Sequence, residues 1–195
     1  MAKLGPFQVL VRDLPTHRTL EVGPERVSDW LRGLPMRDAL GAPEGDPQAG
    51  QGVADLDLYA DGAHAFASGS FKGYLTVACS RCIGPVKIDL DEKLLVTFMP
   101  QHEMPSEDEP ADDAEEGAEV GSEDLDVFPY DGEIVDLEPL LREQFVLAVP
   151  FAPLCREDCK GLCPQCGIDR NTDTCNCEAP IDPRLAALKG LKIPS

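Results

Sequence analysis

Basic residues are scarce in this chain. Against 36 Asp and Glu it sets only 17 Lys and Arg, a formal net charge of −19 over 195 residues. RNA-binding domains are usually basic, and this balance adds repulsion from nucleic acid, screened only beyond about 8 Å at physiological ionic strength. Aromatic residues make up only 6%, with a single Trp, which weakens any scheme of bases stacked on successive rings. The three histidines, His17, His64 and His102, lie far apart and outside any H-x-x-x-H or E-x-x-H spacing. They read as surface or loop residues rather than ligands. No Gly-rich phosphate loop, G-x-S-x-G elbow or paired helical carboxylates occur, so no enzyme is expected. No apolar run reaches the roughly eighteen residues of a membrane span. The start, MAKLGPFQVLVRDLP, lacks the apolar stretch of a secretory signal. The expectation is a cytoplasmic protein with no membrane span and no small-molecule substrate.

Cysteine, by contrast, is plentiful. Six of the eight lie between Cys155 and Cys177 (CREDCKGLCPQCGIDRNTDTCNC), and two in Cys79-Ser80-Arg81-Cys82. Without a secretory signal, paired thiols point to metal ligation or redox chemistry rather than disulfides. Cys163-Pro164-Gln165-Cys166-Gly167 has the form of a metal knuckle: two thiolates three positions apart grip one ion, and Gly167 allows the positive φ of the turn. Cys175 and Cys177, at i and i+2, put two sulfurs on one side of an extended segment. Cys163, Cys166, Cys175 and Cys177 are thus the soft complement that tetrahedral zinc takes. The preferred division makes Cys79, Cys82, Cys155 and Cys159 a second site that pins a sheet to the C-terminal segment. The alternative is one zinc only, with four thiols spare. Structural zinc is the default, because four thiolates leave no open position for catalysis, and iron is the runner-up. The rival reading is a thiol–disulfide oxidoreductase using Cys79 and Cys82, but reactive thiols of that kind usually sit at a helix N-terminus.

The flanks of Cys79 instead alternate like strands. Residues 1–50 read as an N-terminal strand, helix and loop: Phe7 to Val11 as a strand, a helix opened by Pro24 with Val27, Trp30 and Leu31 on one face, then loop from Leu34 to Gly50. Residues 51–154 read as a sheet with one helix. Ala54, Leu56 and Leu58 alternate with polar neighbours, Asp61-Gly62 marks a hairpin, and Phe71, Leu75, Val77 and Cys79 continue an inward face. Val86, Ile88 and Leu90 follow, then Leu94, Val96 and Phe98. This is an antiparallel meander of three to five strands, with Cys79 to Cys82 at a turn. Between Glu103 and Asp126 lie twelve acidic residues and no basic one, so 101–127 is read as a disordered acidic loop, a spacer or a docking site for a basic partner. Ile134-Val135 forms a short strand. Asp136 caps a helix whose apolar stripe is Leu137, Leu140, Leu141, Phe145 and Ala148, and Pro150 stops it. Residues 155–195 are the cysteine-rich segment and a short helix, RLAALK, ended by Gly190. The fold class is α+β.

Basic residues gather near the cysteines: Arg81, with Lys72, Lys87 and Lys93 on the surrounding strands, and Arg156, Lys160 and Arg170 in the dense segment. If the two cysteine regions meet, these form a local patch that could hold phosphates. Ordinary solvated side chains are the plainer reading.

The order of these motifs resembles the YceD family of bacteria and plastids, the large ribosomal RNA subunit accumulation proteins. The resemblance rests on an alternating stretch ending in C-S-R-C, an acidic insertion, DLEPLLREQFVLAVPFAPLC, C-K-G-L-C-P-Q-C-G and C-x-C, from Gly52 to Cys177. It maps the family's pattern onto Cys79, Arg81, Cys82, Cys155, Cys159, Gly161, Cys163, Cys166, Gly167, Cys175 and Cys177. It implies a non-enzymatic ribosome-biogenesis role in 23S ribosomal RNA accumulation and large-subunit assembly. The partner would be ribosomal RNA, or basic ribosomal proteins or an assembly factor. Some family members keep only the first cysteine pair, so a zinc-ribbon-like segment would brace the fold rather than carry its activity.

Overall fold

The computed structural model describes residues 4–41, 46, 48–104 and 127–177. Ten elements follow in chain order: β1 (Gln8–Leu10), β2 (Thr16–Val22), α1 (Pro24–Leu31), α2 (Pro35–Asp38), β3 (Gly50–Asp61), β4 (His64–Ala78), β5 (Pro85–Pro100), β6 (Val127–Tyr130), β7 (Ile134–Asp136) and α3 (Glu138–Leu147). The acidic stretch from 105 to 126 and the expected helix at 184–189 lie outside the described residues.

Alternation sets the sheet. Ala54, Leu56 and Leu58 of β3 are buried on one face, as are Phe71, Leu75 and Val77 of β4 and Leu90, Leu94, Val96 and Phe98 of β5. The β3–β4 hairpin turns through Gly62 and Ala63, with Asp61 paired to His64 and Gly62 at φ 60°. The main sheet runs β2-β3-β4-β5-β6. Its first four strands form the expected antiparallel meander, and the fifth, β6, joins parallel to β5. A parallel neighbour needs a crossover of a dozen or more residues, and the stretch 101–126 is long enough to supply it. β1 and β7 form a separate antiparallel pair.

Two further features differ from the sequence expectation. β2 pairs with β3 from Thr16 to Val22, although only Leu20 and Val22 of its side chains are buried. So short an apolar alternation carries little signal. Residues 35–38, expected as loop, make the single turn α2, and Arg37 within it is buried.

The helices cover the inner face. Leu137, Leu140, Leu141 and Phe145 are buried along α3, as the stripe requires. Asp136 Oδ1 accepts the Glu138 N–H (2.9 Å), satisfying one free donor of the first turn. Phe145 meets the Phe71 ring edge-on at 5.2 Å and Trp30 of α1 at 5.8 Å. Gly52 makes room for this: a Cβ there would lie 2.6 Å from the Phe71 ring and 3.0 Å from that of Phe145. The core therefore closes without any cysteine, and the thiols gather beyond it at the β4–β5 end.

Candidate metal centre

β4 and β5 are joined not by a simple turn but by a knuckle. The Ile83 N–H donates to the Cys79 carbonyl (2.9 Å), and the Cys79 N–H to that of Gly84 (2.8 Å). The dense segment repeats the device: the Gly167 N–H donates to the Cys163 carbonyl (2.9 Å), and the Cys163 N–H to Ile168 (2.8 Å). In each, the residue after the second cysteine turns left-handed, Ile83 at φ 63° and Gly167 at φ 73°. Glycine does this freely. A β-branched residue there is an outlier, and it persists only where its surroundings fix it.

The C-terminal segment is docked on the first knuckle. Ser80 donates twice to the Pro153 carbonyl, from N–H (2.8 Å) and from Oγ (3.0 Å). The Arg81 carbonyl accepts the Leu162 N–H (3.0 Å), while its guanidinium donates to the carbonyls of Cys159 (2.9 Å) and Glu157 (3.4 Å). Gly161 lies at φ 69° against this contact, and a Cβ would sit 2.8 Å from the Arg81 carbonyl oxygen. Docking brings Cys79 and Cys82 to Cys155 and Cys159, more than seventy residues away in sequence.

The eight sulfurs fall into two groups: Cys79, Cys82, Cys155 and Cys159 in one, Cys163, Cys166, Cys175 and Cys177 in the other. Within each group all sulfurs lie within 4.8 Å of one another. Cys82 and Cys155 are 3.6 Å apart, Cys79 and Cys159 3.8 Å. A disulfide needs about 2.05 Å. Four sulfurs each about 2.3 Å from one ion would sit about 3.8 Å apart, so the spacing fits a tetrahedral metal.

The protonation of the thiols fits the same use. Burial pushes Cys79 up, but N–H donors from Arg81, Cys155 and Cys82 outweigh it and hold the thiol at about 6. Cys163 is drawn down to about 6, chiefly by the N–H groups of Cys166 and Gln165. Cys155 is pushed up to about 12 by burial and then by the sulfurs of Cys159, Cys82 and Cys79. Cys177 rises to about 12 through Cys166 first and burial second. At Cys159 burial is opposed by donors from Asn171 and Gly161, and the thiol is lowered. The first thiolate to form in each cluster repels the next. A cation reverses that repulsion and displaces the remaining protons.

Several of the basic residues already have partners. Arg81, Arg156, Lys160 and Arg170 share the knuckle region, where Arg81 is turned onto carbonyl groups and Arg156 onto Asp158 (3.5 Å). Lys87 pairs with Asp89 (2.7 Å) and covers the Tyr74 ring; Lys72 pairs with Asp91 (3.4 Å). Lys93 lies six residues beyond Lys87 on β5, about 20 Å along the strand. The three histidines stand apart from both clusters, His17 against Asp55 and Asp57, His64 and His102 against Glu103. Asn171, which the sequence did not single out, donates to Cys159 Sγ (3.5 Å). Its only sequence signal is the spacing Asp169-x-Asn171, typical of a side-chain-capped turn.

Fold and site together define a mixed-sheet α+β protein carrying two four-cysteine clusters at one end of its sheet. Residues 67–192 match the family described as Large ribosomal RNA subunit accumulation protein YceD. The chain belongs to the YceD family. It is 32% identical to an uncharacterised protein of Mycobacterium tuberculosis over 138 residues, 70% of this chain and 60% of that one, and equally to one of Mycobacterium bovis. It is 30% identical over 143 residues to the Zea mays protein named Large ribosomal RNA subunit accumulation protein YCED homolog 1, chloroplastic, covering 63% of this chain and 47% of that one. The chain thus spans at most about 60% of the length of these relatives. No solved structure matches it. Among the described residues no helix is long and apolar enough to cross a membrane.

Proposed function

We propose that the protein is a non-catalytic factor for accumulation of large-subunit ribosomal RNA, acting where ribosomes are built and braced by zinc at both cysteine clusters. The observation that carries this reading is the family match, whose span takes in every cysteine of both clusters. Zinc at Cys79, Cys82, Cys155 and Cys159 would fasten the segment from 155 onward to the sheet. Zinc at Cys163, Cys166, Cys175 and Cys177 would close that segment on itself as a zinc-ribbon-like unit. Bound there, the ion neutralises thiolate charge and cross-links the chain. Four sulfur ligands leave it no position for substrate.

Attachment to the nascent subunit runs through a basic protein partner rather than through RNA phosphates. Arg81, Arg156, Lys72 and Lys87 already have carbonyl or carboxylate partners, and the chain carries −19. The twelve carboxylates between Glu103 and Asp126 supply the attraction. The rival role as thiol–disulfide oxidoreductase would rest on Cys82, the more exposed thiol of the pair, and predicts thiol–disulfide turnover that is lost in Cys82→Ser.

In-cell UV crosslinking of the tagged protein, with sequencing of bound RNA, tests this beside sedimentation of large-subunit precursors. Co-sedimentation with background crosslinking is the expected result. Crosslinks focused on a few 23S sites would overturn the protein-mediated route, and absence of both signals would overturn the ribosomal role.

A further inference from the structure

The two clusters share more than a segment of chain. Asn171 belongs to the loop between Cys166 and Cys175, which the second cluster closes, yet its side chain reaches into the first cluster. Asn171 Nδ2 donates to Cys159 Sγ (3.5 Å) and to Asp169 Oδ1 (2.6 Å), while Oδ1 accepts the Lys160 N–H (2.8 Å). Lys160 N–H has only a proton to give, so the amide can face it only through Oδ1, and the NH₂ end must then face the sulfur. Its orientation is fixed from both sides. The main chain follows suit: the Arg170 N–H donates to the Gly161 carbonyl (3.0 Å), and Leu162 pairs with Asp169. The strip 159–162 that carries the last ligand of the first cluster is thus held by the loop that belongs to the second.

We propose, resting on the two-metal reading above, that Asn171 is a positioning residue through which filling of the second cluster tightens metal binding at the first. Closing the 163–177 loop around one ion presets Asn171, which then holds Cys159 in place and supports its thiolate when the first cluster takes its own ion. With the second cluster open, that donor must be ordered at the expense of the binding free energy. A donor that holds a metal ligand without touching the ion is worth roughly ten- to a hundredfold in affinity, and coupling of this kind is reciprocal.

The test uses the full chain, reduced and stripped of metal anaerobically, titrated with zinc against a chromophoric chelator. Asn171→Asp keeps the shape of the side chain and removes its donor. It should weaken the first cluster about tenfold. In a Cys82→Ser/Cys155→Ser background, the same change should leave the second cluster unaltered. Opening the second cluster with Cys166→Ser/Cys177→Ser should weaken the first by a similar factor, and adding Asn171→Asp should then cost little more. An unchanged first-cluster affinity in Asn171→Asp, or losses that multiply, overturns the coupling. Cadmium-113 NMR of the loaded chain gives a readout that needs no serine variant. Asn171→Asp should move one of two resonances, and two unmoved resonances overturn the proposal. Failure of the unmutated chain to take up any metal is a separate result that removes the two-metal reading itself.

Discussion

Arg37 is a cation with 5% of its side chain exposed, and Asp46, at 2.9 Å, is what makes that burial tolerable. Breaking a buried pair strands the remaining charge, at roughly 3–5 kcal/mol. Asp46 itself keeps 16% exposure, so Asp46→Ala should cost about 2 kcal/mol in chemical denaturation. The Asp46 carboxyl is held below its usual value, first by the Gln48 N–H and then by Arg37. A carboxyl lowered by folding contributes stability that is present above its unfolded value and lost as pH falls through the folded one. Asp46→Asn should therefore flatten the acid side of the stability profile, and an unchanged slope would refute this account. Arg81 makes the complementary point. Its position between two cysteines was legible as special, but its direction was not. A guanidinium suits phosphates and peptide carbonyls alike, and here two carbonyls take it.

At the scale of elements, α3 is the helix that holds the fold together. Its stripe was readable because Leu137, Leu140, Leu141 and Phe145 recur at helical spacing, and the same residues are buried. Phe145 joins Trp30 of α1 to Phe71 of β4. Phe145→Ala should cost about 4 kcal/mol, read as a lowered denaturation midpoint with unchanged slope. A loss under about 1 kcal/mol would mean that the ring is not the keystone described. The strands β3 to β5 were legible for the same reason as α3. β2 was not, because a strand held mainly by backbone hydrogen bonds needs no apolar period. The parallel join of β6 was equally hidden, since alternation reports which face a residue takes and never the direction of its neighbour.

For the whole molecule, the division between a cysteine-free core and a thiol-held appendage has a direct consequence. The buried core cluster contains no cysteine, so removing metal should leave the sheet folded and release the segment from 155 onward. Under chelator in reducing buffer, hydrogen exchange should speed up between 155 and 177 while β3 to β5 keep their protection. Simultaneous loss in both regions would contradict it. Acid should act like the chelator. Metal binding requires thiolates, so protons compete with the ion at every cysteine, and below about 6 they reach the last thiols to protonate, Cys79 and Cys163.

The sequence by itself determined what depends on short separations: the strand and helix periods, and the local cluster of Cys163, Cys166, Cys175 and Cys177. Knuckle and C-x-C spacing leave those sulfurs few other places to go. It also indicated the family, because the order of motifs survives without coordinates. The joining of Cys79 and Cys82 to Cys155 and Cys159 was one of two divisions the chain allowed. Only the tertiary structure brings these four sulfurs together, through contacts that carry no sequence period: Arg81 on the carbonyl of Cys159 and Leu162 on that of Arg81. The bridge from Asn171 to Cys159 belongs to the same class. One side-chain donor meets a sulfur twelve residues away only because the backbone between them has already been folded back on itself.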